Sequence, residues 1–518
     1  MQSVDAETQL REARQSLTGE HKDTENARKL LLGIAQDGKA KLSPESLVYV
    51  YVYLGYIEDR AGNRPLAIAW YEKALAVEGS FPGILAVAKA GLQKPITWIR
   101  HLDSVEPPTA PRTSANSQIT DRPLAKNLSA EQRRENFEVL WRAIDTMYAD
   151  FDLKHIDWTE VGQRYKERLA TVAGDDDFYL LMFQLVNELK DTHSWLQNYK
   201  APTLADVADL PIDLFEGKPF VVAGKKAGWE VLSVDGLTVA EKMEALRPYL
   251  HACSSERAYR REAGRSLLAS EKESPATVKL RSPDGKTETL ALPRKWGSGN
   301  HRGTQTVVPG LTRQRFVHFG RHPSGLGYIR IESFNGRSEI ADEFDRALEE
   351  MRDAPGLILD IRDNPGGFGQ PRIVGRFLQK RTLVAISYVR NGPGHHNFDR
   401  RESYLEPTGK WQYKGPVALL VNDVTGSAAD LFACQLRSAG RVVTVGSTTH
   451  GNLSGVADYA VLPCGLQVRI SNAYLSDAKG RPIEVNGNIP DVTVEPTILD
   501  YLNGRDPVLD RAVGLMTK

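Results

Sequence analysis

Residues 416–430 read PVALLVNDVTGSAAD, an apolar run that ends in a glycine-serine turn. The segment from Pro416 to Val421 is short, apolar and partly β-branched, which is typical of a strand buried on both faces. The residues from Ala428 to Leu436 have helical spacing, so Ser427 is predicted to lie between a strand and the N-terminus of a helix. Most serines at such turns cap the helix. A serine there can also act as a nucleophile, because the free N–H groups of the helix start stabilise an oxyanion.

Strand and helix patterns alternate on both sides of this turn. GYIRI from Gly327 precedes a helix from Glu339 to Met351, GLILDI precedes the Ser427 segment, and further strands are expected around Val443 and Val468. Alternation of this kind predicts a parallel or mixed sheet covered by helices. We assign residues 297–518 to this α/β core.

A second glycine turn follows the GLILDI strand and contains Gly366 and Gly367. Ligands in open α/β sheets gather outside the carboxyl ends of the strands, so this turn is expected to face the same crevice as Ser427. Glycines allow a backbone N–H to approach a developing oxyanion closely. A turn that only requires a positive φ explains the two glycines equally well.

The N-terminal part has a different organisation. Residues 1–100 are predicted to be helical, and the spacing of Gly55, Ala67 and Ala74 resembles a tetratricopeptide repeat, in which small residues let antiparallel helices touch. Residues 101–129 are rich in proline and small polar residues and are interpreted as a linker.

Two further domains are predicted before the α/β core. The capping-box sequence SAEQ starts at Ser129, and residues 130–200 after it are predicted to form a helical bundle that ends in LKDTHSWL, where His193 lies at a turn. Residues 201–296 contain strand-like segments separated by turns, including a hairpin with Asp284-Gly285 at its tip. This segment is predicted to be a small β-rich domain, so the chain combines α+β and α/β domains.

Composition excludes several classes of function. The chain has 518 residues with 66 basic and 66 acidic side chains, so no net charge attracts it to nucleic acid or to an anionic membrane. Its three cysteines are far apart and form neither a metal-binding pattern nor a disulfide framework, so no metal or cofactor is predicted. No apolar run approaches the roughly 20 residues of a membrane span. The start lacks signal-peptide features, which leaves the compartment open: extracytoplasmic, periplasmic or secreted, if a signal peptide has been removed, and cytoplasmic otherwise.

Four motifs in order carry a family resemblance: GYIRIESF, GLILDIRDNPGG, ALLVNDVTGSAADLFA and GRPIEVNGNIPDVTV. They resemble the catalytic core of the S41 serine peptidases, the family of C-terminal processing proteases, tricorn core proteases and interphotoreceptor retinoid-binding proteins. LKDTHSWL resembles the N-terminal helical segment of the same family, and the similarity covers about residues 130–500. It implies a ClpP/crotonase-like catalytic core. GWEVLSVDGLTV also resembles the end of a PDZ-like module, without a clear GLGF-type carboxylate-binding loop.

The general base distinguishes the branches of this family. Processing proteases use a lysine about 25 residues after the nucleophile, a position that Asn452 occupies here, and no lysine lies between Ser427 and Lys479. An asparagine amide cannot accept a proton from serine near neutral pH, so a Ser/Lys dyad is excluded unless Lys479 folds back. The resemblance to the tricorn-like branch therefore assigns the base to His193 and a carboxylate to Glu484.

The resemblance also implies the remaining roles. Neutral His193 would take the proton of Ser427, and Glu484 would hold the imidazole, or else bind Ser427 or a water and orient His193 indirectly. Thr192 resembles a hydroxyl residue of the tricorn catalytic network. The oxyanion donors would be the N–H of Ala428 and that of Gly366 or Gly367, with Gly366 favoured. His450 is the rival base.

We therefore expect a serine peptidase that acts on peptide or protein substrates through an acyl-enzyme on Ser427. Two alternatives use the same fold: a non-proteolytic binding protein for an apolar ligand or peptide, and an esterase. The additional N-terminal helices would suit homo-oligomerisation.

Overall fold

The computed structural model describes residues 6–17, 23–37, 42–78, 82–96, 123–200, 204–207, 209–296, 308–336, 338–392, 394–455 and 457–517. The chain divides into two compact units. The first comprises Met1–Asp152, Tyr388–Arg400 and Ala457–Asn472, and the second comprises Leu153–Ser387, Arg401–Val456 and Ala473–Lys518. Within the ranges given, no helix combines the length and the apolar character that crossing a bilayer requires.

The helices are α1 (Ala6–Leu17), α2 (Thr24–Gln36), α3 (Pro44–Arg60), α4 (Arg64–Leu75), α5 (Pro82–Gln93), α6 (Ala130–Met147), α7 (Trp158–Leu169), α8 (Asp175–Asn187), α9 (Val239–Leu246), α10 (Glu256–Arg265), α11 (Ser338–Glu350), α12 (Pro371–Gly375), α13 (Ala428–Ser438), α14 (Ile498–Leu502) and α15 (Pro507–Met516).

The strands are β1 (Trp195–Leu196), β2 (Ala205–Asp206), β3 (Ile212–Phe215), β4 (Lys218–Val221), β5 (Glu230–Val234), β6 (Leu237–Thr238), β7 (Ala276–Arg281), β8 (Thr287–Leu292), β9 (Lys295–Trp296), β10 (Thr312–Arg313), β11 (Val317–Arg321), β12 (Gly327–Ile331), β13 (Leu357–Asp360), β14 (Thr382–Arg390), β15 (Phe398–Leu405), β16 (Val417–Val421), β17 (Val443–Gly446), β18 (Ala457–Val461), β19 (Gln467–Ser471), β20 (Ala473–Ser476) and β21 (Val492–Thr493).

In the first unit, α3, α4 and α5 pack around the ring of Tyr71. Gly55 of α3 and Gly91 of α5 both face this ring, and a Cβ on either glycine would collide with it. The hydroxyl of Tyr71 donates to buried Asp59 at 2.9 Å, and the backbone N–H of Ile96 donates to the same carboxylate at 2.6 Å. The small residue at Gly55 thus lets helices approach each other, as predicted from its spacing.

The helix α6 also belongs to the first unit. Its start matches the predicted capping box: the Ser129 side chain accepts the N–H of Gln132, whose side chain accepts the N–H of Ser129. The helices α7 and α8 belong to the second unit. Of the predicted linker at 101–129, residues 101–122 lie outside the described residues.

A seven-stranded sheet forms the centre of the second unit, in the order β10-β11-β12-β13-β16-β17-β21. Neighbouring strands pair in parallel along the path β12-β13-β16-β17-β21, and β10 and β11 form an antiparallel edge. The mixed sheet confirms the prediction from strand and helix alternation. Asp360 pairs with Leu420, so the carboxyl ends of β13 and β16 lie side by side.

The central strand β16 is buried at all five positions. Leu419 and Val421 belong to a core cluster that includes residues of α11 and α13, whereas Ala418 and Leu420 pack with residues of α15. Because side chains alternate between the two faces of a strand, both faces of β16 must be apolar. This is why a short, continuous apolar run precedes the Ser427 turn.

The strand predicted around Val468 does not join the main sheet. It forms β19, which pairs in antiparallel fashion with β18, and the N–H of Leu462 donates to the carbonyl of Leu466 across the turn between them. Gly465 in this turn has φ +86°. The tight turn makes β18 the nearest partner of β19, so a local hairpin forms instead of a crossover.

The predicted β-rich segment contains a sheet with the path β3-β4-β5-β7-β8, with β6 paired to β5. The predicted hairpin is confirmed, since β7 and β8 pair over six residues each and Gly285 at the tip has φ +89°. Thr238 and Glu241 form a capping box at the start of α9.

A buried charge cluster joins the end of β13 to the start of α15. Arg362 donates to both carboxylate oxygens of Asp506 at 2.7 Å and to Asp360 at 2.6 Å. Asp360 also accepts the hydroxyl of Tyr328 at 2.7 Å. Burial alone would raise the pKa of Asp360, but Arg362 and Arg330 hold that pKa well below its usual range. The pairing anchors the strand end that leads into the first glycine turn.

The Tyr71 contact gives a stability prediction for the first unit. Gly55→Ala should destabilise α3–α5 by about 1–3 kcal/mol, because its methyl group overpacks the ring of Tyr71. Gly33→Ala is the matched control: among the described residues outside the local backbone of α2, nothing lies within 4 Å of the new Cβ, so it should stabilise by about 0.5–1 kcal/mol. Amide hydrogen exchange of peptides from α2 to α5 measures both effects. Unchanged exchange in Gly55→Ala would contradict the packing.

Candidate active site

The turn between β16 and α13 holds Ser427 in an unusual backbone conformation. Ser427 has φ +53° and ψ −120°, a region that residues with a Cβ rarely occupy. The N–H of Gly426 donates to the carbonyl of Asn364 at 3.1 Å, which ties this turn to the first glycine turn. Strained serines at strand-to-helix turns present their hydroxyl away from the helix.

The Ser427 side chain does not cap α13, so the capping interpretation is wrong for this serine. Its Oγ instead lies 2.9 Å from Nε2 of His193, a residue 234 positions earlier in the chain. Both side chains are partly exposed. A hydroxyl within hydrogen-bond distance of an imidazole nitrogen is the arrangement that proton transfer from a nucleophile requires.

The turn after α8 positions His193. The buried carboxylate of Asp191 accepts the backbone N–H of His193 at 2.8 Å and the hydroxyl of Ser194 at 2.7 Å. Burial alone would raise the pKa of Asp191, but the charges of Lys154 and His193 and these hydrogen bonds hold it below its usual value. Asp191 therefore carries a negative charge beside the candidate base.

Glu484 is completely buried and contacts a lysine. Oε1 of Glu484 lies 2.6 Å from Nζ of Lys154, which is itself buried and also donates to the carbonyl of Lys190 at 2.7 Å. Lys154 thus connects the Glu484 loop to the turn that carries His193. The orienting role suggested for Glu484 stays a prediction.

The backbone after Glu484 is strained as well. Val485 has φ +69°, an outlier for a β-branched residue, and its N–H donates to the carbonyl of Gly451 at 2.8 Å. The N–H of Asn486 donates back to the carbonyl of Glu484 at 2.8 Å. These bonds hold the Glu484 loop against the segment that carries Asn452.

Asn452, which the family resemblance places where a processing protease has lysine, contacts both the Ser427 turn and the turn that carries His193. Oδ1 accepts the backbone N–H of Ser427 at 2.6 Å, and Nδ2 donates to Oγ1 of Thr192 at 3.1 Å. Thr192, predicted from the family resemblance, therefore lies in the same cluster as Ser427 and His193.

Asp430 supports Asn452 from the first turn of α13. Its buried carboxylate accepts the N–H groups of Gly451 at 3.0 Å and Asn452 at 3.2 Å, the hydroxyl of Thr449 and Nδ2 of Asn488. Burial raises the pKa of Asp430 to about 6, although these hydrogen bonds oppose the shift.

The two glycines of the first turn have different reasons to lack a side chain. A Cβ on Gly366 would lie 2.6 Å from Cβ of Ser427 and 2.8 Å from the backbone nitrogen of Ala428, whereas one on Gly367 would collide with the backbone of Phe334. The N–H of Gly366 donates to Oδ1 of Asn364 at 2.9 Å. Within the part of the chain that the structure describes, neither Gly367 nor Ala428 donates its N–H to an acceptor.

His450, the rival base, is close to the nucleophile turn. The N–H of His450 donates to the carbonyl of Thr425 at 2.8 Å. A Cβ on Gly426 would lie 3.2 Å from the Cβ of His450. Burial, followed by the charges of Arg257 and His193, lowers the pKa of His450 to about 4. An imidazole with so low a pKa is a weak proton acceptor near neutral pH.

Three residues of this cluster were missed by the sequence analysis: Asp191, Lys154 and Asp430. Asp191 had a local signal, because an aspartate two residues before a histidine can accept its N–H in an Asx turn. Lys154 and Asp430 had none, since their partners lie far away in the sequence.

Two protein-family models match this chain. The model of peptidase family S41 matches residues 325–494, and the model of the tricorn protease C1 domain matches residues 129–187. The first match contains both glycine turns, Asn452 and Glu484. The second covers the helices that precede His193.

Individual relatives are similar over most of this chain. The carboxyl-terminal-processing protease of Picosynechococcus sp. is 23% identical over 405 residues, which cover 73% of this chain and 87% of the relative. Tricorn protease homolog 1 of Streptomyces coelicolor is 22% identical over 412 residues, which cover 74% of this chain and 35% of the relative. This chain thus spans about a third of that tricorn homologue.

Among solved structures, mature CPAF has a similar fold, with a TM-score of 0.64 and 16% identity over 75% of this chain and 97% of CPAF. The S41 model covers both Ser427 and the glycine turn at Gly366 and Gly367, and the tricorn C1 model covers the helices before His193. Together, the two family matches and the named relatives support the assignment of this chain to the S41 serine peptidases.

Proposed function

We propose that this chain hydrolyses peptide bonds through an acyl-enzyme on Ser427, with His193 as the general base. The observation that carries the proposal is the 2.9 Å separation between Nε2 of His193 and Oγ of Ser427. Two residues so far apart in sequence meet on a strained turn, where a purely structural serine would have capped the helix.

The proposed chemistry has two halves. In acylation, Nε2 of His193 takes the Ser427 proton as Oγ bonds to the substrate carbonyl carbon, and then returns it to the leaving amine as the C–N bond breaks. In deacylation, His193 takes a proton from water as the water oxygen attacks the ester, and returns it to Oγ as the ester bond breaks. The products are a carboxylic acid and an amine, and the enzyme is regenerated.

The N–H groups of Ala428 and Gly367 are the proposed oxyanion donors. Ala428 begins α13, where backbone N–H groups lack helical acceptors and the helix dipole is positive. Gly367 is preferred over Gly366 because the Gly366 N–H is already donated to Asn364. The exposed position of Gly367 also suits contact with a substrate.

Buried charges would support the imidazolium that forms on His193. Asp191 is ionised beside the base turn, and Glu484 is paired with Lys154, which binds the carbonyl of Lys190 at the start of that turn. A carboxylate near an imidazolium favours the charged form. We assign Glu484 the orienting role in this arrangement.

The domain boundaries are part of the proposal. We propose a TPR-like helical region at 1–100, a linker at 101–129, a helical bundle at 130–200, a PDZ-like domain at 201–296 and the catalytic core at 297–518. The substrate is proposed to be a peptide or protein, because the relatives with this core are named as proteases. Homo-oligomerisation through residues 1–100 also remains a proposal.

The contact between Ser427 and His193 disfavours the binding-protein alternative, because ligand binding alone needs neither a strained serine nor a base beside it. Ester hydrolysis would use the same groups. A digest of a peptide library run beside a panel of simple esters separates peptidase from esterase specificity.

The first prediction for the site concerns the nucleophile. Wild-type protein should react with a fluorophosphonate probe at Ser427, and Ser427→Ala should abolish labelling and lower peptide hydrolysis about 10⁴-fold or more. Ser324→Ala, which changes an exposed serine, should behave like wild type. A folded wild-type protein that is not labelled, and that cleaves no peptide, would refute the proposed function.

A second prediction separates the two histidines. His193→Ala should lower kcat by about 10⁴-fold, as loss of the base does in triad enzymes, whereas His450→Ala should retain most activity because its imidazole is a weak base. Steady-state kinetics of both variants at neutral pH provide the comparison. Full activity in His193→Ala together with none in His450→Ala would reverse the assignment.

The third prediction tests the carboxylate. Glu484→Gln should lower kcat about 10²-fold or more with little change in KM, because the substitution removes negative charge that stabilises the transition state. Glu495→Gln changes an exposed carboxylate of the same unit and serves as the control. A kcat close to wild type in Glu484→Gln would leave Asp191 as the carboxylate that matters.

A further inference from the structure

We propose that Asn452 is a positioning residue whose side-chain amide joins the nucleophile turn to the base turn, and that Asp430 holds it in place. The inference rests on the proposed function. The inference goes beyond the proposed function because it gives a role to Asn452, which the family resemblance places where processing proteases have lysine.

The orientation of the amide follows from its neighbours. The backbone N–H of Ser427 can only donate, so the atom 2.6 Å from it must be the amide oxygen. The amide nitrogen then faces Oγ1 of Thr192 at 3.1 Å, where the hydroxyl accepts. An asparagine is suited to this place because it offers an acceptor on one side and donors on the other.

The contact to Ser427 acts on the strained residue itself. A non-glycine residue at a positive φ of this kind costs about 1–3 kcal/mol unless its surroundings hold it. The hydrogen bond from the Ser427 N–H to Asn452 fixes the peptide group that sets this conformation. It also removes that N–H from the oxyanion donors, which leaves the role to the next N–H, that of Ala428.

The contact to Thr192 acts on the base. Thr192 directly precedes His193, so a bond from Asn452 to its hydroxyl limits movement of the turn that presents the imidazole. The same side chain therefore constrains both partners of the Ser427–His193 pair. Misplacing reacting groups by about 1 Å can cost about 10²-fold in rate.

The site around Asn452 is built to hold one conformation. Asp430 accepts the N–H groups of Gly451 and Asn452, and thereby fixes the backbone from which the amide projects. Gly426 leaves the space that the amide fills, because a Cβ there would lie 2.6 Å from Oδ1 of Asn452. The glycine before the nucleophile thus has a specific reason to lack a side chain.

Kinetics of three variants test the linkage. Asn452→Ala and Thr192→Val should each lower kcat and the rate of fluorophosphonate labelling, by up to about 10²-fold, with KM nearly unchanged. The double variant should lose little more than the worse single variant, because both substitutions remove the same hydrogen bond. Asn503→Ala, at the exposed end of α14, is the matched control and should match wild type.

Asn452→Asp provides a readout that a purely structural role would not move. The carboxylate replaces an uncharged amide near His193, so it should favour the imidazolium and shift the acid limb of the kcat/KM profile to higher pH. Asp191 and His450, which also interact electrostatically with His193, are unchanged in this variant. A pH profile identical to wild type would contradict the proposed position.

The possible outcomes are distinguishable. Absence of labelling and turnover in wild-type protein refutes the proposed function itself. Wild-type activity combined with unimpaired Asn452→Ala and Thr192→Val refutes only the positioning role, as does full additivity in the double variant. If Asn452→Ala does not fold, judged by thermal unfolding, the kinetics of Thr192→Val and the pH profile of Asn452→Asp decide the question.

Discussion

The positive φ of Ser427 is the constraint around which the second unit is arranged. It turns the hydroxyl away from α13 and toward His193, and it is maintained by contacts from two separate parts of the chain. Gly366 approaches Ser427 and Ala428 as only a glycine can, Asn364 accepts the N–H of Gly426, and Asn452 accepts the N–H of Ser427. A conformation that opposes local preference persists only where tertiary contacts over-determine it, and here they do.

Asp430 holds the loop around Asn452 in position at a cost in folding stability near neutral pH. Its carboxyl pKa is raised from 3.8 to about 6, chiefly by burial, so the folded state binds its proton more tightly than the unfolded chain does. Its contribution to stability is therefore fully present below pH 3.8 and is lost as the pH rises through about 6. At neutral pH the ionised carboxylate opposes folding. It nevertheless accepts the N–H groups and side chains that set the positions of Gly451, Asn452 and Asn488.

Much of the sheet and part of the site were predictable from the sequence. The apolar run of β16 and the helical period of α13 carry their signals locally, because burial on both faces and helical spacing both appear in short windows. Ser427, His193 and Thr192 were predicted from motif order. The pairing of β19 with β18 and the failure of Ser427 to cap α13 were not predicted. Both depend on contacts with other segments of the chain. Lys154 and Asp430 gave no signal because a buried ion pair and a carboxylate that binds loop N–H groups have no local pattern.

The two contacts of the Asn452 amide explain why a lysine is poorly suited to this position. A lysine in place of Asn452 would have no acceptor for the N–H of Ser427, which is strained and held by the oxygen of that amide. A protonated lysine would also lie next to the base turn and disfavour the imidazolium of His193. Conversely, a histidine base leaves the residue at 452 free of proton transfer, so it can be a neutral amide with a donor and an acceptor. With the proposed base on the turn after α8, a neutral amide at position 452 can contact both the Ser427 turn and the Thr192 turn, as Asn452 does.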